Sequence, residues 1–116
     1  MPSFNVPVSL LNQYAEHIKA DYRKWWGAKA SEPHVQEMIA EFDIDFEAGS
    51  KYIKVVKLRK GVVESVHSFI CNKDGKFPKG SVLKAASFKA PATNFLRAQI
   101  DKPETWTGHV VWTGTH

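Results

Sequence analysis

Apolar residues recur at steps of three and four between Leu11 and Trp26, which is the spacing of one helical face. The stripe consists of Leu11, Tyr14, Ala15, Ile18, Tyr22, Trp25 and Trp26. Ser9 precedes it as a candidate N-cap, and Gly27 follows it as a C-terminal stop. The stripe predicts a long first helix whose aromatic rings pack in the core. The alternative is that these rings form a platform for stacking nucleic-acid bases.

A second, shorter apolar stripe runs from Val35 to Phe42 and predicts a second helix. Ser31 is its candidate N-cap, and Pro33 suits the first helical turn because proline lacks an amide proton there. The N-terminal third of the chain is therefore expected to be a pair of helices.

Apolar and acidic residues alternate from Phe42 to Glu47, the pattern of a strand with one buried and one solvated face. With a turn at residues 48–51, Asp45 would lie opposite Lys54 as a pair of opposite charges. The alternative is a Mg²⁺ or Mn²⁺ site formed by the carboxylates of Asp43, Asp45 and Glu47, which share one face of the strand. Same-face positions are about 7 Å apart along a strand, which disfavours convergence on one ion.

Residues 52–59 and 62–71 are apolar runs separated by a Lys-Gly turn, and they predict an antiparallel hairpin. Two registers remain open. A two-residue turn pairs Val55 with Val66, whereas a three-residue turn pairs Val55 with His67. The choice decides whether His67 lies on the surface or is partly buried.

The rest of the chain predicts one more strand, a short helix and a closing strand. Residues 81–86 have the composition of a strand. Pro91 suits the first turn of a short helix near residues 92–100, whose apolar face would consist of Phe95, Leu96 and Ile100. Residues 105–113 are rich in β-branched and aromatic side chains and predict a closing strand interrupted by Gly108. We therefore predict an α+β fold, with two N-terminal helices packed on a mainly antiparallel sheet of four to five strands.

A chain of 116 residues with 43% apolar residues can bury one core, so we predict a single domain of residues 1–116. Its helical part is residues 9–41 and its sheet part residues 42–113. The single cysteine, Cys71, can form no internal disulfide and is expected to be a small buried residue. The sequence has no run of about 20 apolar residues and no signal-peptide pattern. We expect a cytoplasmic protein with no membrane partner.

Charge is distributed unevenly along the chain, whose formal net charge is +4. Residues 1–50 carry four Lys/Arg against eight Asp/Glu, whereas residues 51–102 carry twelve against three. A basic segment of this kind is typical of a nucleic-acid partner. The alternative is that acidic helices lie against a basic sheet and neutralise it.

Enzymatic motifs are absent from the sequence. It contains no G-x-G-x-x-G or Walker pattern, no H-E-x-x-H and no paired cysteines. We expect no catalytic residue, no metal site and no cofactor, and so no enzyme. The alternative is an enzyme that uses His67 with Lys84, Ser87 or Arg97.

Three segments between residues 51 and 97, KYIKVV, SVHSFI and VLKAASFKAPA, resemble small bacteriophage-encoded proteins of unknown function. In those proteins a KYxxIV…VHAFV…KAAxWxAPA core ends in a basic residue, which Arg97 would match. Phe88 stands where they tend to have Trp, so the aromatic ring is kept and the indole donor is lost. The resemblance implies a phage or environmental viral origin, and hence the host cytoplasm, but no activity.

We predict a nucleic-acid-binding module that uses the basic surface of residues 51–102. The candidate contacts are Lys54, Lys57, Arg59, Lys84, Phe88, Lys89 and Arg97. The cations would neutralise phosphates, and the phenyl ring would stack on a base. The alternative is a non-catalytic module that binds a host or viral protein, or its own copy through an edge strand such as residues 105–113.

Overall fold

The computed structural model describes residues 2–116 and confirms the α+β architecture. Its helices and strands are α1 (Val8–Trp26), α2 (Pro33–Glu41), β1 (Phe42–Ala48), β2 (Tyr52–Arg59), β3 (Val62–Cys71), β4 (Ser81–Lys84), β5 (Ala98–Gln99), β6 (Val110–Val111) and β7 (Gly114–Thr115). Strands β1 to β5 form one antiparallel sheet in chain order. Strands β6 and β7 form a separate small hairpin.

Helix α1 packs on one face of the sheet, which we call the front face. Tyr14 and Ile18 are fully buried there, in one apolar cluster with Ile53 of β2. Burial of each such side chain stabilises the fold by about 1.5–3 kcal/mol. The prediction that the stripe packs in the core is wrong at its C-terminal end, where Trp25 is 60% exposed. This residue lies in the last turn of α1, and its ring centroid is 5.2 Å from that of Trp112 instead of lying on the sheet.

The opposite face of the sheet, which we call the back face, carries a smaller apolar cluster. Phe69, Cys71 and Leu83 form it, and Cys71 is buried as expected. Burial raises the pKa of the Cys71 thiol. No helix belongs to this cluster in the described chain, and its partly buried members come from strands and loops, including Phe77 and Leu96.

Neither predicted serine cap forms. Helix α1 begins one residue before Ser9, which therefore lies inside the first turn, and no side chain caps this end. The Ser31 hydroxyl donates to the Ala28 carbonyl in the preceding 3₁₀ turn, so Glu32 takes the N-cap position of α2. The predicted stop at Gly27 is confirmed, with a φ of 59° that favours glycine.

The predicted register between β1 and β2 is wrong by two residues. The Gly49 amide donates to the Tyr52 carbonyl at 2.8 Å, which leaves a turn of only two residues. Lys54 consequently lies opposite Glu47, not Asp45. A Cβ atom on Gly49 would lie 2.7 Å from the Tyr52 oxygen, so this tight turn requires glycine.

The turn between β2 and β3 has two residues, Lys60 and Gly61, both with positive φ (55° and 78°). This is the geometry that two-residue hairpin turns adopt. Neither predicted register holds along the hairpin, because two irregularities shift the pairing and Val55 lies opposite Ser68. One of these irregularities lies between Val55, which pairs with Ser68, and Val56, which pairs with Val66. It leaves His67 without a cross-strand partner.

The predicted short helix near residues 92–100 is wrong. The backbone amides of Ala92 and Arg97 donate to the carbonyls of Lys84 and Val82 in β4, and the chain then enters β5. Pairing with an existing strand satisfies these amides, and this tertiary pairing overrides the apolar spacing that suggested a helix.

The predicted closing strand at residues 105–113 is also wrong. Residues 103–105 form a 3₁₀ turn, and only Val110–Val111 of this stretch is extended. Trp106 is buried, and its indole N–H donates to the Gln99 carbonyl at 2.9 Å. This side-chain contact with β5 and the following turn at Gly108, where φ is 78°, break the strand.

Both edges of the sheet have side-chain or local hydrogen-bond partners. On β1 a carboxylate oxygen of Asp43 and of Asp45 accepts the next residue's backbone amide at 2.8 Å, which explains the acidic alternation. On β5 the Gln99 carbonyl accepts the Lys102 amide and the Trp106 indole. Edges whose backbone groups are satisfied resist pairing with another strand.

None of the helices within residues 2–116 is sufficiently long and apolar to traverse a lipid bilayer.

Candidate nucleic-acid interface

A buried amide, Asn72, organises the loops at one end of the sheet. Its Nδ2 donates to the carbonyls of Ser3 and Gly49, each at 2.8 Å, and its Oδ1 accepts the Asn5 amide at 2.9 Å. Its own backbone amide donates to the Lys51 carbonyl at 2.9 Å. The β1–β2 turn and the loop after β3 are therefore held together, and each carries lysines.

Two adjoining depressions on the back face share Lys51 and Tyr52 and have volumes of about 200 and 340 Å³. We call them together the lysine cleft. Its basic and aromatic members are Lys51, Tyr52, Lys54, Lys73, Lys76, Phe77 and Lys89, with Phe69 at its base. Two acidic residues, Glu47 and Asp74, also line it, so the cleft has five ammonium groups against two carboxylates.

Cations lie over aromatic rings along this side of the molecule. The distances from the cation to the ring centroid are between 3.8 and 5.5 Å for Lys51–Tyr52, Lys54–Phe88, Lys76–Phe77 and Arg97–Phe95. Exposed pairs of this kind contribute about 0.5–1 kcal/mol each. They also bring flat rings and positive charges together in one region.

Most cations of residues 51–102 have no carboxylate partner. Within the described chain, Arg59 and Lys60 alone of the twelve lie within 4.0 Å of one, at 2.9 Å from Glu64 and 3.8 Å from Glu41. The alternative of neutralisation by acidic helices predicted many contacts with the helical layer. Among residues 2–116, the pair between Lys60 and Glu41 of α2 is the only ion pair that joins a cation of residues 51–102 to a helix.

The structure brings together some of the predicted contact residues. Lys54 and Lys89 line the same depression, and the Lys54 ammonium lies 4.3 Å from the centroid of the Phe88 ring. Arg97 stacks on Phe95 at 3.8 Å, just before β5. These four candidates belong to the back face or to the segment that follows β4.

The other three candidates lie apart from the lysine cleft. Lys57 is 5.5 Å from the Trp112 ring, and Arg59 is 3.4 Å from the Tyr22 hydroxyl, which places both with α1 and the C-terminal hairpin. Burial lowers the pKa of Lys57. Strand alternation turns Lys84 to the side opposite Leu83. The seven predicted residues therefore do not form one continuous face.

Sequence reasoning missed several members of the lysine cleft. Lys51 and Tyr52 fall in the predicted turn at residues 48–51 and the predicted strand at residues 52–59, and Phe77 falls between the predicted strands at residues 62–71 and 81–86. The signal that could have identified them is a lysine directly before an aromatic residue, which occurs at both places. In this structure the lysine ammonium of each pair lies 5.5 Å from the centroid of the ring that follows it.

His67 lies on the front face and is only 2% exposed. Its Nε2 is 2.6 Å from the Val111 carbonyl, and its Nδ1 is 2.8 Å from the Ser68 hydroxyl. Because a carbonyl can only accept, Nε2 carries the proton and Nδ1 accepts from Ser68. Tyr14, whose hydroxyl is 2.8 Å from the same Ser68 oxygen, must then be the donor to it.

This directional chain from Tyr14 to Val111 ties the C-terminal hairpin to the sheet. Burial lowers the pKa of His67 to about 4, with a smaller lowering from the nearby Lys57 and His17, and this outweighs the hydrogen bond to Val111, which raises the pKa; the neutral ring is therefore the stable form. Burial likewise raises the pKa of Tyr14. Neither nitrogen of His67 is free for a reactant, and the ring is a structural group.

Another depression, of about 530 Å³, lies between α1, α2 and β1. Its Lys19 ammonium is 3.2 Å from Glu16 and 3.4 Å from Asp43, so this charge is already paired. Over residues 2–116, no group of three or more His, Cys, Asp or Glu side chains is arranged to hold a metal ion.

Comparison with known proteins gives a family and no activity. No curated protein and no solved structure matches the chain. A family model does match, over residues 6–116, which include both helices, the sheet and the C-terminal hairpin. The chain therefore belongs to the family described as "Family of unknown function (DUF7717)".

Proposed function

We propose that this protein binds nucleic acid through the lysine cleft. The observation that carries the proposal is that five lysines line the cleft and none of them lies within 4.0 Å of a carboxylate in the described chain. Ammonium groups that have no carboxylate partner and lie on a concave surface can neutralise phosphates and release the counterions that surround them. Tyr52 and Phe77 add rings among these charges.

The distribution of the five lysines favours an extended polyanion over a small one. They come from the β1–β2 turn, strand β2, the loop after β3 and the segment after β4. Four separate pieces of chain thus present positive charge along two depressions. A phosphodiester backbone carries regularly spaced charges that can follow such a path.

A protein partner is the alternative. The route predicted for self-association, through a strand at residues 105–113, is absent because that strand does not form. An acidic protein could still use the lysines. We favour nucleic acid because rings interleaved with cations bind bases as well as phosphates, whereas an acidic protein surface needs only the cations. A phage origin and a cytoplasmic location, where Cys71 stays reduced, belong to the same proposal.

Fluorescence anisotropy with a labelled oligonucleotide tests this proposal. At about 50 mM salt we expect binding whose logarithm of affinity falls linearly with the logarithm of salt concentration. For a single strand that contacts all five lysines, the slope should be about −3 to −4. Absence of any binding at this salt concentration would contradict the proposal.

Two matched triple variants locate the site. Lys51→Gln/Lys73→Gln/Lys89→Gln removes three exposed lysines of the cleft, and its control, Lys24→Gln/Lys29→Gln/Lys102→Gln, removes three exposed lysines that do not line the cleft. None of these six forms an ion pair in the described chain, and both variants lose the same net charge. We expect the cleft variant to bind roughly 10- to 100-fold more weakly at about 50 mM salt, with a salt slope smaller by about 2. Equal losses in both variants would show that only net charge matters.

A further inference from the structure

We infer that the nucleic acid is single-stranded and that its bases stack on Phe88 and Phe95. The inference rests on the proposed function and names the ligand class for the same side of the molecule. Phe88 and Phe95 are 55% and 52% exposed, and both belong to the segment between β4 and β5. A single exposed phenyl ring is ordinary on a protein surface. Two exposed phenyl rings on one segment, each with a cation over it, are not.

Each ring has a cation on one side. The Lys54 ammonium lies 4.3 Å from the centroid of Phe88, and the Arg97 guanidinium carbon lies 3.8 Å from the centroid of Phe95. Since each of these two residues is more than half exposed, we expect the side of the ring away from the cation to be open to solvent. The cation fixes the orientation of the ring and leaves an open aromatic face, as base stacking requires.

Hydrogen bonds hold the segment in place before any ligand arrives. The Ser87 hydroxyl accepts hydrogen bonds from the backbone amides of Lys89 and Ala90 at 3.3 and 3.2 Å. These bonds close a tight turn in the chain that includes Phe88. The amides of Ala92 and Arg97 bond to β4 and anchor the part that follows. Rings on an ordered backbone lose little conformational freedom on binding, so stacking on them is less costly.

The segment adjoins the lysine cleft along its length. Lys54 contacts Phe88 and also lines the cleft. Thr93, two residues before Phe95, lines the other depression, and its carbonyl accepts the Lys76 ammonium. A nucleic-acid single strand could therefore follow one path, with its phosphates in the lysine cleft and its bases on the two rings. A duplex keeps its bases stacked inside, so the rings can reach unpaired bases only.

Substitution of each ring tests the inference. Phe88→Leu and Phe95→Leu remove the aromatic face but keep an apolar side chain. The control, Trp25→Leu, removes the ring of a residue in α1 that is 60% exposed. Affinity is measured by anisotropy for a single strand, an abasic strand of equal length and a duplex. Thermal unfolding followed by circular dichroism verifies that each variant is folded.

We expect each phenylalanine variant to bind the single strand about 5- to 150-fold more weakly, the range for loss of one stacked base. Its affinity for the abasic strand should not change, and Trp25→Leu should bind as the native protein does. Phe88→Trp should retain affinity, and the new indole should be quenched by the strand.

The possible failures are distinguishable. If the phenylalanine variants bind normally while the cleft variant is weakened, the stacking inference is overturned and the proposed function stands. The same conclusion follows if the duplex binds as tightly as the single strand, or if Trp25→Leu alone loses affinity. If no nucleic acid binds at all, both fail.

Discussion

The two faces of the sheet differ in how their polar groups are satisfied. On the front face the hydrogen-bonded chain runs from Tyr14 through Ser68 and His67 to the Val111 carbonyl, and its three side chains are paired and buried. On the back face the cleft lysines lack carboxylate partners in the described chain, and aromatic rings remain in solvent. The front face has the features of a stabilising core, and the back face has those of a surface that meets a ligand.

Strand β3 contributes to both faces with consecutive residues. Ser68 and Ile70 belong to the front, whereas Phe69 and Cys71 belong to the back. Because side chains alternate along a strand, one segment supports two roles without conflict. The comparison therefore predicts that stability and binding respond to different substitutions.

The largest expected effect is on the front face. Ile53→Ala removes a fully buried side chain and should lower the free energy of unfolding by about 2–5 kcal/mol. Phe88→Leu, on the exposed segment, should change it by less than about 0.5 kcal/mol. Urea unfolding of both variants measures the difference. Similar losses would mean that the two faces do not divide the roles in this way.

A second prediction concerns pH and His67. The folded-state pKa of about 4 lies below the ordinary value of 6.5, so the unfolded chain takes up the proton first as pH falls. The stabilisation of the folded state that comes from keeping His67 neutral is complete above about pH 6.5. It is lost on acidification to about pH 4, which lowers the free energy of unfolding by about 3 kcal/mol. Urea unfolding at several pH values in this window should show this loss beyond the contribution of the carboxylates.

Two variants isolate the contribution of His67. His67→Gln should lose the His67 contribution to the pH dependence between pH 4 and 6.5, retain that of the carboxylates, and start from a lower stability. His34→Gln changes an exposed histidine and should follow the native curve. If His67→Gln kept the full native slope, the buried neutral ring would not be its source.

The third prediction joins the two regions. Asn72→Ala leaves the carbonyls of Ser3 and Gly49 without their donor and should cost about 1–3 kcal/mol. Because Asn72 also fixes the loops that carry Lys51 and Lys73, we expect weaker nucleic-acid binding in the folded variant. Unfolding and anisotropy on the same sample test this, and unchanged affinity would show that the loops are fixed by other contacts.

The smallest effect on stability is expected at the sheet edge. Asp43→Ala/Asp45→Ala frees two backbone amides of β1 and should change the free energy of unfolding by less than about 1 kcal/mol. It should instead promote concentration-dependent association through the open edge. Sedimentation velocity over a range of concentrations detects this, and a strictly monomeric variant would argue against the blocking role of these carboxylates.

Local patterns predicted the elements whose structure is local. Helix α1, strand β1 and the turn at Lys60-Gly61 all form where they were expected, although Trp25 at the end of the α1 stripe is exposed. The errors occur where contacts with residues distant in the sequence determine the structure. Residues 92–100 have helical spacing but pair with β4, and the register of β3 shifts at His67, whose hydrogen-bond partner, the Val111 carbonyl, comes from the far end of the chain.

The sequence predicted which part of the chain carries the positive charge of the candidate site, but not how those residues are arranged in space. The charge balance indicated where the cations are in the sequence, yet Lys57 and Lys54, three residues apart, contact different aromatic groups, Trp112 and Phe88. Strand alternation separates them, and only a correct register and face assignment would reveal it. Phe95 was assigned to a helical face, so its exposed ring could not be anticipated.

Nuclear magnetic resonance titration of the labelled protein with a short single strand tests the division of roles most directly. The account predicts shifts of the backbone amides at residues 51–54, 73–77 and 85–97, with those of α1 unchanged. Shifts centred on Trp25 and Trp112, or spread equally over both faces, would contradict it.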